Sequence, residues 1–126
     1  MRLQSAIFDM DGTLLDSMPA WEHLCSGLIR EMGLEPEPDL DATVSVMTMR
    51  QGAEYCRERY GLAQTADEII NLVNSRMEDF YHNRVRAKAG VQKFLSLLKM
   101  EGVWMYVATN TDRSLAEAGL RHAGLD

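Results

Sequence analysis

The feature that most constrains this chain is an apolar run near the amino terminus that ends in two acidic residues. Residues 5–8 lead into Asp9-Met10-Asp11, and Gly12 then lets the chain turn. Successive residues of a strand point to opposite faces, so Asp9 and Asp11 can face one way only while the backbone stays extended. At a strand end, such a carboxylate pair can share a metal ion or divide nucleophile and acid/base roles. For a bare Asp-x-Asp, an acidic turn after a strand is the alternative interpretation.

The composition indicates an ordinary globular domain and argues against several classes of partner. The 126 residues are 46% apolar, which is enough for a core, and no stretch has a disordered composition. A net charge of -6 argues against nonspecific binding to nucleic acid or to an anionic membrane surface. No apolar run reaches membrane-spanning length, and we expect no signal peptide before the first strand. Cys25 and Cys56 fall on apolar helix positions, so we expect buried free thiols and a cytoplasmic location.

Hydrophobic periodicity predicts a strand over residues 3–8 and then about four helices up to residue 85. The first helix begins near Ser17, with Asp16 or Ser17 as its cap, and is predicted to end at Gly33. The second is short, with its cap drawn from two acidic residues. Leu40, Val44 and Met47 form its apolar stripe, and Asp39 or Asp41 is the candidate cap.

Two further helices have clearer boundary signals. One covers residues 51–60 and is closed by Gly61. The other covers residues 66–81, and Thr65 with Glu68 forms its capping box. The whole segment from residue 17 to residue 85 is therefore predicted to be helical.

The pattern changes after residue 85 to the alternation of helix and strand that is typical of α/β folds. A helix ending at Gly102 precedes residues 103–108, a continuous apolar run typical of a strand buried on both faces of a parallel sheet. The run ends in a polar loop that includes Thr109 and Asn110, and a last helix follows. Ligand groups in such folds lie at the carboxyl ends of strands.

With both stretches identified, the chain resembles the haloacid dehalogenase (HAD) superfamily, in the branch of phosphoglycolate phosphatase and β-phosphoglucomutase. Residues 9–17, Asp-Met-Asp-Gly-Thr-Leu-Leu-Asp-Ser, match the family's first motif, and residues 102–110 match the second. The resemblance implies a partial Rossmann-like α/β core over residues 1–16 and 86–126. It also implies an inserted helical cap domain over residues 17–85.

The resemblance also implies a Mg²⁺-dependent phosphatase that acts on a small phosphorylated metabolite. Asp9 would be the nucleophile that forms an aspartyl-phosphate, and Asp11 would be the general acid/base. Asp9 and the Asp11 backbone carbonyl would bind Mg²⁺, while Thr109 and Asn110 would hold a phosphate oxygen. For Thr109-Asn110 taken alone, a helix cap is the alternative.

Two residues bear on the chemistry within the superfamily. Dehalogenating members lack a carboxylate at the place of Asp11, so its presence favours phosphoryl transfer. The mutase-like members carry a His about where Trp21 stands, and His23 is two positions out of register. We therefore expect a hydrolase, with a phosphomutase as the alternative.

The cap is expected to select the substrate, and Arg50 is the candidate contact for an anionic or sugar group. The alternative is an ordinary exposed arginine at a helix start. The other arginines and the remaining histidines are expected to lie on solvated helix faces.

The phosphate-clamping Lys and the further acidic pair of the family lie beyond the second motif, and the 126 residues contain neither in that position. Only two strands are readable, whereas such a core has about five. We therefore expect part of a longer enzyme with little or no activity of its own, and an open sheet edge through which it could self-associate. A non-enzymatic binding or assembly module is the remaining alternative.

Overall fold

The computed structural model describes residues 2–126, which form two compact units. The first unit contains the residues up to Met18 together with Asp79–Asp126, and the second is Pro19–Glu78. The division therefore lies two residues beyond the predicted boundary at residue 16. On the carboxyl side it lies seven residues before the predicted boundary at residue 85.

The first unit contains a parallel sheet, which confirms the predicted α/β class. Strand β1 is Ser5–Asp9 and strand β2 is Trp104–Ala108. The two strands pair in parallel from Ser5 opposite Trp104 to Asp9 opposite Ala108. The carboxyl ends of both strands therefore meet at one edge, and the loops that follow them start side by side.

Strand β2 is not buried on both faces, contrary to the expectation from its apolar run. Trp104 and Tyr106 are 72% and 55% exposed, and Ile7, which pairs with Tyr106, is 73% exposed. We call this surface of Ile7, Trp104 and Tyr106 the open face. On the opposite face, Phe8 contacts Phe94 edge to face, with ring centroids 6.3 Å apart. A doubly buried strand needs layers on both faces, and the sheet formed by the described residues has two strands and packing on one face.

Two helices and a wide turn complete the first unit. Helix α6 is Val91–Met100 and helix α7 is Arg113–His122, separated in the chain by β2. The π-helical turn Phe80–Arg84 packs on α7. The buried side chains of the unit come from the loop after β1, from the π-helical turn and the residue after it, and from α7. They include Leu14, Leu15, Tyr81, Val85 and Leu115.

The second unit is helical throughout, as predicted, but contains five α-helices where about four were expected. These are α1 (Met18–Glu22), α2 (Leu24–Glu31), α3 (Leu40–Ser45), α4 (Met49–Tyr60) and α5 (Ala66–Asp79).

The single helix expected from Ser17 to Gly33 is broken at His23, between α1 and α2. Here the carboxylate of Asp41 accepts hydrogen bonds from the Ser26 backbone N–H (3.0 Å) and hydroxyl (2.7 Å). Asp41 thus satisfies a free N–H group in the first turn of α2 instead of capping α3. Asp39 is the residue before α3, but its side chain makes no capping hydrogen bond.

The capping box of α5 is confirmed. The Thr65 hydroxyl accepts from the Glu68 N–H at 3.2 Å, and the Glu68 carboxylate accepts from the Thr65 N–H at the same distance. Helix α4 begins two residues earlier than predicted because Thr48 and Gln51 form a second capping box. Gly61, with φ +61°, closes α4 as expected.

Helix α5 ends at Asp79 instead of residue 81, because the next five residues widen into the π-turn. The Val85 N–H donates to the carbonyl of Phe80, five residues back, at 2.8 Å. The wider turn changes the direction of the side chains that follow, and Tyr81 is fully buried. None of the helices within residues 2–126 is long and apolar enough to cross a membrane.

Candidate active site

Asp9 and Asp11 lie where β1 ends and the chain turns. Asp9 is the last residue of the strand and is exposed, and the Thr13 hydroxyl donates to its Oδ2 at 3.3 Å. A hydrogen bond of 2.9 Å from the Gly12 N–H to the carbonyl of Leu15 stabilises the turn. Gly12 has a φ of +78°, a conformation that favours glycine, and a Cβ there would lie 3.0 Å from the Met18 side chain.

Three hydroxyl groups of the first unit, two of them far away in sequence, donate hydrogen bonds to the Asp11 carboxylate. Ser17 Oγ and the Tyr81 hydroxyl both donate to Oδ1, at 2.7 Å and 2.5 Å. Thr111 Oγ1 donates to Oδ2 at 2.6 Å. Hydrogen bonds to an ionised acceptor are short and strong, so three of them fix the orientation of the carboxylate. We call Ser17, Tyr81 and Thr111 the hydroxyl clamp.

Sequence reasoning missed the whole clamp as site residues. The sequence predicts Asp16 or Ser17 as a helix cap, but the Ser17 side chain is fully buried and its hydroxyl donates to Asp11. The periodicity predicts Tyr81 at the end of a helix, because a π-turn leaves no signal in the hydrophobic pattern. Thr111 is two residues beyond the predicted Thr109, and only the polar character of its loop pointed to it.

Thr109 and Asn110 follow β2 directly, at the same sheet edge as Asp9. Since Asp9 pairs with Ala108, Thr109 begins the neighbouring loop. Its hydroxyl oxygen accepts the Thr111 N–H at 3.1 Å, and Asn110 is exposed. Helix α7 is capped by neither, because Asp112 Oδ2 accepts from the Ser114 N–H at 3.3 Å. The capping alternative for Thr109-Asn110 is therefore wrong, while their role toward phosphate stays a prediction.

Arg50 lies in the first turn of α4, in the second unit. Its Nη2 is 2.5 Å from Oδ1 of Asp67, and both side chains are exposed. The hydrogen bond to Asp67 raises the pKa of Arg50, which keeps the guanidinium charged. An exposed ion pair of this kind contributes little to stability, and the role of Arg50 toward a substrate stays a prediction.

The oxygen atoms at the sheet edge are the type that Mg²⁺ prefers, but they form an incomplete set. Carboxylate and backbone carbonyl oxygens of Asp9 and Asp11 are hard ligands of the correct chemistry. Among residues 2–126, no three His, Cys, Asp or Glu side chains are grouped so that they could hold a metal ion. The described part of the chain therefore offers at most two acidic ligands.

The sequence model of the haloacid dehalogenase-like hydrolases matches residues 6–126, which covers both units. The chain belongs to this family. For a HAD-family chain, the loop after β1 and the loop after β2 are the expected positions of the first two motifs. The structure places both loops at one sheet edge.

Two relatives of this HAD-family chain are phosphatases by name. Hexitol phosphatase A of Escherichia coli is 30% identical over 99% of this chain and 56% of its own length. A phosphorylated carbohydrates phosphatase of Thermotoga maritima is 22% identical over 98% of this chain and 57% of its own length. The chain therefore spans a little over half the length of these relatives.

Solved HAD structures share its fold. A predicted phosphoglycolate phosphatase from Haemophilus somnus superposes with a TM-score of 0.74 at 18% identity, over 99% of this chain and 59% of that one. A protein assigned as a β-phosphoglucomutase from Thermotoga maritima gives 0.71 at 22% identity, over 98% and 57%. The HAD hydrolase YfnB from Bacillus subtilis, solved with bound magnesium, gives 0.68 at 19% identity, over 99% and 61%. These likenesses support the partial Rossmann-like core with a helical cap.

Proposed function

We propose that this chain carries the nucleophile and the acid/base of a Mg²⁺-dependent phosphatase that acts on small phosphorylated carbohydrates. The observation that carries the proposal is the pairing of an exposed Asp9 with an Asp11 held by three hydroxyl donors. One carboxylate is open to a ligand, and the other is held in one orientation. That asymmetry matches a division between nucleophile and proton carrier.

In the first half of the reaction, a carboxylate oxygen of Asp9 attacks phosphorus as the bond to the sugar oxygen breaks. Protonated Asp11 gives its proton to that leaving oxygen, which yields the alcohol and an aspartyl-phosphate. In the second half, the Asp11 carboxylate takes a proton from water as the water oxygen attacks phosphorus. Inorganic phosphate leaves, the Asp9 carboxylate is restored, and Asp11 holds the proton for the next cycle.

The hydroxyl clamp positions Asp11 for both halves. Tyr81 and Thr111 donate to different carboxylate oxygens, so rotation of the carboxyl group would break at least one bond. Orientation of a proton carrier within hydrogen-bond reach is a condition for acid/base catalysis. We therefore assign Ser17, Tyr81 and Thr111 as positioning residues for Asp11.

The proposed metal site uses the Asp9 carboxylate and the Asp11 backbone carbonyl, completed by groups outside the described residues. When bound, Mg²⁺ would offset the repulsion between an anionic nucleophile and an anionic phosphate. Thr109 and Asn110, in the loop beside Asp9, are proposed to bind a phosphate oxygen through hydroxyl and backbone N–H groups. Thr109 is suited to this because its loop starts at the same sheet edge as the nucleophile.

The proposed location and partners follow from composition and surface. A cytoplasmic location fits two free thiols, because disulfides are rare in that compartment. The open face and the unpaired sheet edges make self-association of the 126-residue chain a further proposal.

The deciding experiment measures Mg²⁺-dependent phosphate release from a panel of sugar phosphates and phosphoglycolate. It uses both the 126-residue chain and the complete product of its open reading frame, whose length intact-mass spectrometry establishes. We expect hydrolysis by the complete product and little or none by the 126-residue chain, which spans 56% of the length of hexitol phosphatase A. Asp9→Asn should abolish release, and Asp39→Asn, at an exposed position outside the site, should not.

Four results would contradict the proposal. Release that persists in Asp9→Asn would show that Asp9 is not the nucleophile. Activity without a divalent cation would show that the reaction does not require the metal. A bisphosphorylated intermediate and an isomerised sugar phosphate would indicate a mutase. If the complete product hydrolyses nothing on the panel, the non-enzymatic binding module becomes the better interpretation.

A further inference from the structure

The second unit contains a pair of cysteines that the proposed reaction does not use. Cys25 lies on α2 and Cys56 on α4, 31 positions apart in sequence. Both are free, and their sulfur atoms are 3.3 Å apart. The only two cysteines of the chain are therefore in direct contact although they come from different helices.

The surroundings of the pair are apolar on one side and acidic on the other. Cys56 is 4% exposed and packs in a cluster with Ile29 and Leu40, while Cys25 lies half-buried at the edge of that cluster. The Asp41 carboxylate acts electrostatically on both thiols. The cluster thus excludes large reagents from Cys56, while Cys25 gives a small molecule an approach to the pair.

Contact between the thiols makes them chemically unequal. The Cys25 S–H hydrogen bond lowers the pKa of Cys56, because it stabilises the Cys56 thiolate. The pKa of Cys25 is raised by the same hydrogen bond, by burial and by Asp41. Cys56 therefore carries the larger fraction of thiolate, and the Cys25 sulfur is in direct contact with it.

We propose that Cys25 and Cys56 are a redox modification site, at which a small peroxide forms a reversible disulfide that ties α2 to α4. The sulfur atoms need to approach by roughly 1.2 Å to reach the bonding distance of about 2.05 Å. The two sulfur atoms are already in contact, so no other residue separates them. This inference concerns the helical unit and is independent of the proposed phosphatase activity.

The chemistry balances with hydrogen peroxide as the oxidant. The Cys56 thiolate attacks one peroxide oxygen, the O–O bond breaks, and the products are a Cys56 sulfenic acid and, after proton uptake, water. The sulfur of Cys25 then attacks the Cys56 sulfur and expels the sulfenic oxygen as a second water. Two thiols lose two electrons and two protons in total, and the peroxide is reduced to two water molecules. A dithiol reductant reverses the change by exchange.

To test this, the purified 126-residue chain is oxidised with a small excess of hydrogen peroxide at low protein concentration. Trypsin digestion without reductant should then give peptide 3–30 joined to peptide 51–57, since these contain Cys25 and Cys56. Titratable thiols should fall from two per chain to none, and dithiothreitol should restore both. The oxidised chain should remain monomeric and should unfold at a higher urea concentration, because the link restrains the unfolded chain.

The Cys25→Ser and Cys56→Ser variants separate the two roles. Cys25→Ser should trap Cys56 as a sulfenic acid that reacts with dimedone, and Cys56→Ser should react much more slowly. Circular dichroism shows whether each variant folds, and peptide mapping of the unaltered chain gives a result even if neither does. Retention of both thiols under peroxide, oxidation to sulfinic acid without the linked peptide, or links only between chains would overturn the proposal.

Discussion

The hydroxyl of Tyr81 donates a 2.5 Å hydrogen bond to Oδ1 of Asp11, across 70 positions of sequence. Tyr81 belongs to the π-turn that follows the helical unit, and Asp11 to the loop after β1. The contact lies entirely within the first unit. It connects a fully buried side chain of the core to the proposed proton carrier, so the packing of the π-turn determines where that carboxylate points.

Tyr81→Phe should reduce both stability and turnover. The change removes one donor to a charged acceptor and leaves the ring in place, so the free energy of unfolding should fall by about 1–2 kcal/mol. In the complete gene product, kcat should fall roughly tenfold with KM little changed, since one such bond in the transition state is worth about 1.4 kcal/mol. Urea denaturation and steady-state kinetics measure the two effects.

Tyr106→Phe is the matched control, because Tyr106 is an exposed tyrosine of the same unit. It should leave the urea midpoint and kcat unchanged. A Tyr81→Phe variant that loses stability but keeps its full kcat would limit Tyr81 to a structural role.

Gly119→Ala should destabilise the first unit. A Cβ at this helix position would lie 2.7 Å from Cδ1 of Tyr81 and 3.4 Å from Cδ1 of Leu15, so the Tyr81 ring must shift. Overpacking of this kind typically costs about 1–3 kcal/mol. Thermal and urea unfolding measure the change.

Gly27→Ala tests the same substitution where nothing lies within 4 Å of the new Cβ. Gly27 is also inside a helix, so there the substitution should stabilise by up to about 1 kcal/mol from helix propensity alone. Equal changes in the free energy of unfolding for the two variants would show that the Tyr81 ring does not restrict a side chain at position 119.

The open face should drive association of the 126-residue chain at high concentration. Ile7, Trp104 and Tyr106 form an apolar surface, and removal of such a surface from water favours contact between copies. Sedimentation velocity over a range of concentrations should show a rising weight-average mass, and Trp104→Lys should reduce it.

Val46→Lys is the control for the open face. Val46 is exposed as well, but it lies in the other unit. A chain that stays monomeric at all concentrations, or one in which both lysine variants act alike, would contradict association through the open face.

Arg50→Gln should raise KM for an anionic sugar phosphate several-fold and leave kcat nearly unchanged. The guanidinium is exposed and pairs with the exposed Asp67, so a substrate anion could compete for it. Steady-state kinetics of the complete gene product make the measurement. Arg59→Gln is the control from the same helix, because Arg59 also pairs with an acidic residue, Glu37. If the two variants give the same KM, Arg50 is an ordinary surface arginine.

Local sequence signals determined much of this protein. The step from an apolar run to Asp9 and Asp11 identified the end of β1, and the carboxyl end of β2 followed from the same kind of signal. Thr65 with Glu68 fixed the start of α5, because a capping box is formed by residues only three positions apart. Each of these features depends on neighbours in sequence, and a pattern of neighbours can therefore predict it.

The tertiary structure decided the rest, for a common physical reason. The Tyr81 hydroxyl contacts Asp11 because the π-turn changes the direction of its side chain. Asp41 accepts a hydrogen bond from the N–H of Ser26 in α2, 15 positions away. The exposure of β2 likewise depends on which layers cover the sheet and not on the apolar character of the strand itself. Side chains far apart in sequence meet only after the backbone has folded, so the sequence alone identified the two carboxylates but not the Tyr81 and Thr111 hydroxyl groups that hold one of them.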